Sequence, residues 1–248
     1  MRYFFEISYK GTHYHGWQNQ ENATGVQSIV EKALTTLLRK ETSIVGSGRT
    51  DTGVHCRQQF FHADVSEPFV VADFLHRLNS FLPADIAIRS IRPVEPTAHA
   101  RYDARLRGYE YHITTVKDPM LVGLAYYHFR PLDVLKMNQA ARLLVGSHDF
   151  QSFSKVNTDV NHFLCDLKTA HWEPRGNTLV FFIEANRFLR GMVRALVGTL
   201  LEVGSGKITP DDFQAIIASR DRKKAGMNAP PEGLYLVKVE YKDGIFLA

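Results

Sequence analysis

The order strand, helix, strands, helix, strand runs twice along this chain, and that repetition narrows the folds open to it. In the first pass Tyr3, Phe5, Ile7 and Tyr9 alternate as in a strand. Val26, Ile29, Val30, Ala33, Leu34, Leu37 and Leu38 then recur at three and four, predicting a helix that Thr24 and Gln27 would open as a capping box. Residues 43–45 and 59–65 read as extended, 70–82 as a helix stopped by Pro83, and 86–94 as a strand. The second pass begins with a strand over 108–116 and a helix opened by Pro131 that runs to Leu144. A hairpin over 168–172 and 179–185 turns at Gly176 and Asn177. A helix from Arg187 to Val203, a shorter one begun by Thr209, Pro210 and Asp212, and a strand over 234–241 complete it. The pattern predicts an α+β protein: two ferredoxin-like, split βαβ halves sharing a central, mainly antiparallel sheet, with helices packed on one face. The boundary falls between 96 and 105, giving halves of 1–100 and 101–248, the first holding the glycine-rich loop discussed below.

Composition excludes several function classes. With 248 residues and 44% hydrophobic content the chain buries a core without staples. Two cysteines, Cys56 and Cys165, rule out a disulfide framework and a four-cysteine zinc site. No stretch approaches the roughly 18 uncharged residues of a membrane span. Glu6 interrupts what would be the apolar core of a signal peptide, so a cytoplasmic protein is expected. Thirty basic against 26 acidic residues leave a net charge of +4, a weak lean toward an anionic partner. Arg101, Arg105 and Arg107 cluster, as do Arg187, Arg190 and Arg194; Arg220 to Lys224 holds four basic residues and one acid, and a solvated face is the simplest reading of that last run.

Three loose motifs fail on inspection. Gly46-Ser-Gly48 begins like a dinucleotide fingerprint, but Asp51 stands where the third glycine belongs. Gly204-Ser-Gly206-Lys207 trails a helix instead of leading into one. His13 with His15, and His55, Cys56 and His62, lack zinc spacing.

The stretch that carries chemistry is Gly46-Ser-Gly-Arg-Thr-Asp-Thr-Gly-Val-His55. It lies between two extended pieces and has no core periodicity. Glycine at this density implies unusual turns or the close approach of something bulky. Arg49 and Asp51, two apart, share a face in an extended backbone. On composition alone, a turn in which Asp51 caps a neighbouring amide is the favoured reading. The functional alternative is an ionised carboxylate beside an arginine, a good nucleophile and a poor proton donor.

GSGRTDTGVH closely resembles the signature loop of the TruA family of tRNA pseudouridine synthases. SYKGTHYHGWQNQ, VQSIVEKAL, HARYDARLRGYEYHI, NRFLRGMVRALVG and EGLYLVKVEY match other family segments in order, so the resemblance spans essentially the whole chain. Gly108, where an arginine is common, and Arg190-Gly191 are local departures outside the loop. The resemblance implies isomerisation of uridine to pseudouridine in tRNA, in the anticodon stem-loop at positions 38, 39 and 40, by a homodimer without cofactor or required metal. It makes Asp51 the essential carboxylate and leaves open whether Asp51 attacks C1′, attacks the base or removes a sugar proton. Arg49 resembles the residue that holds the target nucleotide out of the stack. Tyr109 resembles the tyrosine that stacks on the flipped base; read by itself it is one member of the face Tyr109, Tyr111, Ile113, which is more often core. Tyr111 is read as packing.

For 187–203, steps of about 100° place Arg187, Arg190 and Arg194 within about 60° of one another, opposite an apolar stripe, as for a surface that contacts backbone phosphates. The Met-Val-Arg match makes Arg194 the partner of Asp51. Arg101, Arg105 and Arg107 are candidates for phosphate contacts near the target. The site expected from sequence is therefore Asp51 as catalyst, with Tyr109, Arg49 and Arg194 binding substrate and no metal. Two other readings predict different behaviour. A non-catalytic RNA-binding protein with two RNA-recognition-like halves would have no need of Asp51. A nucleoside hydrolase would want a second carboxylate, and no motif places one.

Overall fold

A computed structural model describes residues 1–156 and 160–247. Its contacts divide the chain into two compact units, one comprising residues 1–105 with the segment from Tyr235 onward, the other Leu106–Leu234. Both mix helices with mainly antiparallel strands, an α+β fold. Among the described residues no helix is long and apolar enough to cross a membrane.

The first unit opens with β1 (Arg2–Tyr9), followed by α1 (Val26–Leu38), β2 (Val45–Gly46), β3 (His55–Asp64), α2 (Val71–Phe81) and β4 (Ile86–Val94). β1 lies between β3 and β4, antiparallel to both, and β2 pairs with β3. A central strand is covered on both faces, so Phe4 is buried as fully as the alternating Phe5 and Ile7. Phe5 stacks on Phe61 at 4.8 Å, while Phe4 meets Tyr241 and Phe246 edge-on. In α1 the three-and-four spacing works as expected, burying Val26, Val30, Ala33 and Leu34. Its cap differs from the expected Thr24 box. Gly25 is the N-cap, and no side chain caps the helix. The first amides, of Val26 and Gln27, instead donate to the carbonyls of Gly16 and Trp17, so the preceding loop does the work of a capping side chain. Helix α2 ends before Pro83 and is tied to β4 by Asn79, whose amide both donates to and accepts from the Ile88 backbone.

The second unit contains β5 (Ala104–Thr114), β6 (Tyr126–Tyr127), α3 (Val134–Arg142), β7 (Gly146–Asp149), β8 (Leu164–Arg175), β9 (Thr178–Ala185), α4 (Met192–Gly204) and α5 (Pro210–Ser219). Its antiparallel order is β5-β9-β8-β7, with β6 parallel beside β5. The β8–β9 hairpin turns at Gly176 and Asn177, as read from sequence. Helix α3 starts later than Pro131 because Asp133 caps it, its side chain accepting from the Lys136 amide. α4 also starts late, at Met192, after Gly191 at φ 73°. Nearly all of α4 is buried, from Met192 and Val193 through Leu196, Val197 and Leu200. α5 has the expected start, a Thr209–Asp212 capping box with Pro210 in the first turn.

The chain then returns to the first unit. β10 (Leu234–Tyr241), grouped with the second half in the sequence reading, runs parallel to β3 through Tyr235↔His55 and Leu236↔Cys56.

Caps with and without side-chain bonds predict different costs. Thr209→Ala is expected to lower stability by about 1 kcal/mol, and Thr24→Ala to stay within about 0.5 kcal/mol, measured by urea unfolding. A second expectation concerns pH. His62 is buried, its Nδ1 accepts from the Ala100 amide, and burial with Arg2 and His99 nearby lowers its pKa to about 4. Unfolded histidine titrates at about 6.5, so the unfolded chain binds the proton first. The stability due to neutral His62 is present above that value and declines as pH falls toward 4. Urea midpoints of a His62→Gln variant should show a weaker pH dependence than wild type across this window.

Candidate active site

The loop between β2 and β3 is short of regular structure but not of bonds. Ser47 N donates to Phe60 O at 2.7 Å, and the Phe60 amide returns a bond to the Ser47 hydroxyl. Gln59, wholly buried, donates its side-chain amide to Gly48 O and accepts from the Tyr9 hydroxyl at 3.1 Å. That hydroxyl also shares a 2.8 Å bond with the hydroxyl of Thr50. On the next residue, the Asp51 carbonyl accepts from the Val54 amide. Burial alternates along this segment. Arg49 is exposed, Thr50 buried and Asp51 half-buried. Thr50 thus anchors the loop in the core, and its two neighbours, singled out from sequence, keep accessible surface.

A second segment braces the loop from outside. Trp17 N donates to Thr50 O, Gly53 N to Tyr14 O, and Gly11 N to His55 Nδ1. Gly16 sits at φ +85°, and a Cβ there would lie 2.3 Å from Thr50 O. Only glycine allows both the dihedral and the approach. The two histidine sets rejected as zinc ligands find other uses: His55 and His62 accept backbone amides, and Cys56 Sγ donates to Ile7 O. His13 and His15 border an open polar hollow of about 530 Å³ with Gln20, Asn22 and Ser28.

In the second unit the tyrosines of β5 divide. Tyr111 is wholly buried and donates its hydroxyl to Pro230 O at 2.8 Å; burial pushes its phenol pKa well up. Tyr109, opposite Ile183 of β9, stays half-buried with its ring edge-on to Phe188 at 5.0 Å. Tyr111 is packing, as the sequence suggested, and Tyr109 keeps an accessible surface.

The expected arginine stripe does not form. Arg187 and Arg190 precede α4, and only Arg194 lies in it. Arg187 bonds to His162 at 3.2 Å, and Arg190 is exposed. The positive φ of Gly191 ends the helical geometry on which the wheel depended. Arg194 is half-buried, and its Nε donates to Ala229 O at 2.7 Å. Of the 101–107 cluster, Arg101 and Arg105 are exposed, and Arg107 donates to Asn186 O.

Sequence reasoning missed the brace. By periodicity alone Tyr9 is one residue of a strand face and Gln59 the start of a strand. Their polar atoms, in positions that periodicity marks as core, were the available signal.

If the brace holds the loop, Gly16→Ala should cost more than about 1 kcal/mol in urea unfolding. At Gly48 a Cβ would meet nothing within 4 Å. Gly48→Ala should therefore stay within about 0.5 kcal/mol of wild type.

The sequence matches the profile of the tRNA pseudouridine synthases over residues 7–103 and 140–242. A protein of Bacteroides fragilis called tRNA pseudouridine synthase A is 50% identical over 248 residues, covering 99% of this chain and 98% of its own. Its namesakes in Bacteroides thetaiotaomicron and Porphyromonas gingivalis are 49% and 48% identical, each across 99% of this chain and across 93% and 99% of their own. A family profile covering most of the chain, with relatives at this identity over its full length, assigns the protein: it belongs to the tRNA pseudouridine synthase family and is an isomerase.

Proposed function

We propose that this enzyme isomerises uridine to pseudouridine at positions 38, 39 and 40 of the tRNA anticodon stem-loop, acting as a cytoplasmic homodimer. Asp51 is the catalytic carboxylate. Arg49 holds the extruded nucleotide, Tyr109 stacks on the uracil, and Arg194 is a substrate-binding guanidinium. The observation that carries the reading is the GSGRTDTGVH loop, in which a half-buried carboxylate follows a buried threonine bonded through its hydroxyl to Tyr9. Such a loop gives the carboxylate a fixed position, and a reaction that detaches a base and rejoins it to the same sugar needs that.

Extruding a paired uridine costs a few kcal/mol, and an arginine plane or an aromatic ring replaces the lost stacking. Exposed Arg49 and half-buried Tyr109 have the accessibility that such contacts require. Affinity for the tRNA body rests on phosphate contacts and is separable from turnover.

The test uses tRNA carrying tritium at uridine C5, without added metal. Wild type should release tritium. Asp51→Ala should lose about 1,000-fold or more in rate while keeping tRNA affinity within about threefold. Tyr109→Leu should lose about 10- to 100-fold in kcat with a similarly small change in affinity. Free uracil in place of pseudouridine would identify a hydrolase, and binding without tritium release a passive RNA-binding protein. Mapping pseudouridine in tRNA from cells lacking the gene tests the three positions.

A further inference from the structure

The basic run from Arg220 to Lys224 has an arginine whose guanidinium turns back on its own chain. Arg222 is half-buried and spends its guanidinium on the segment that follows it. Its Nη1 donates to Ala225 O at 3.2 Å and Gly226 O at 3.1 Å, and its Nη2 to Asn228 Oδ1 at 2.9 Å. Lys223 and Lys224, by contrast, are exposed.

The segment it gathers lies directly on α4. A Cβ at Gly198 would come within 1.7 Å of Met227 O, so that helix position admits only glycine. The Gly226 amide donates to the buried Thr199 hydroxyl at 2.9 Å. One turn earlier, Ala229 and Arg194 exchange bonds. The Ala229 amide donates to Arg194 O at 2.9 Å, and Arg194 Nε donates to Ala229 O at 2.7 Å. Nε carries a single hydrogen. Committing it to Ala229 sets the plane of the guanidinium and the direction in which its two terminal nitrogens point.

We propose that Arg222 is a positioning residue: by clasping residues 225–228 it holds the Ala229 carbonyl in place and so orients the Arg194 guanidinium for catalysis. The functional half of this statement rests on the reading of Arg194 given above. The clasp needs a fork of two nitrogens reaching three acceptors. A lysine ammonium supplies the same charge from one point and cannot reproduce the fork. Charge-assisted bonds of this kind are among the stronger ones in a protein, so the segment is held firmly. A guanidinium misplaced by about 1 Å costs about 100-fold in rate.

The test compares Arg222→Lys and Arg222→Gln with wild type in the full-length enzyme. Kinetics on tRNA should show kcat reduced about 10- to 100-fold in both variants, with KM within about threefold. In an Arg194→Lys background, Arg222→Lys should add no more than about twofold, because both changes disturb one group. In parallel, nuclear magnetic resonance should show fast solvent exchange of the Arg194 Nε hydrogen in both variants, while the backbone amides of α4 stay protected. Asn228→Ala removes only one bond, at an exposed residue, and should move both readouts in the same direction by less. It decides the matter if the Arg222 variants fail to fold.

Full activity in Arg222→Lys, with raised KM and a weaker salt dependence in Arg222→Gln, would make Arg222 a phosphate contact and overturn the proposal. An unchanged Nε exchange rate, or rate losses that multiply in the double variant, would overturn it as well. If Arg194→Lys alone turns over like wild type, the assignment of Arg194 fails, and the exchange measurement still decides whether Arg222 holds it.

Discussion

The hydrogen bonds of the Tyr9 hydroxyl, with Thr50 on one side and Gln59 on the other, are the constraint on which the glycine-rich loop depends. They are buried, so no water replaces them if they break. A hydrogen bond contributes about 1 kcal/mol net, but a buried polar group left unpaired costs about 1–3 kcal/mol. Three strand and loop residues are therefore held to one arrangement. Thr50 points into the core, and the residues on either side of it, Arg49 and Asp51, keep accessible surface. The position of Asp51 is thus set by a neighbour whose own side chain is buried.

The same economy governs the second unit. Helix α4 is buried on nearly every side, and such a helix leaves little room for a charged side chain. Arg194 finds its place in the first turn, where the segment after α5 lies against the helix and supplies a carbonyl for Nε. Gly198 allows that close approach, and Arg222 gathers the segment from its other side. A half-buried arginine is costly unless its donors are met, and here the Ala229 carbonyl takes the Nε hydrogen of Arg194.

Much of this was legible in the chain. Strands at 86–94 and 234–241 and the helices α1, α2 and α5 follow from periodicity and breakers, and the loop at 46–55 stood out by glycine density and by its match to the family signature. Helix starts were less legible. Arginine and leucine are good helix formers, so 187–191 continues the pattern of α4 although Gly191, at positive φ, breaks the geometry. The capping box at Thr209 formed while its counterpart at Thr24 did not, since two carbonyls of the preceding loop had already taken the amides of α1. A capping motif states what a side chain is able to do, and packing decides whether the bond is still available.

The chain by itself determined most of the longer elements, the class of fold, the family and the residues of the glycine-rich loop, because these depend on local spacing and on residues read in order. Only the tertiary structure separated Tyr109 from Tyr111, dissolved the arginine stripe, and turned Arg222 from a surface charge into a clasp. Tyr111 and Arg194 are placed by groups far apart in sequence meeting at hydrogen-bond distance, while the stripe ends at the backbone of Gly191 and Arg222 bonds to residues three to six positions ahead. No periodicity records such a meeting, since it is the packing of whole elements that brings Tyr111 to Pro230 and Arg194 to Ala229.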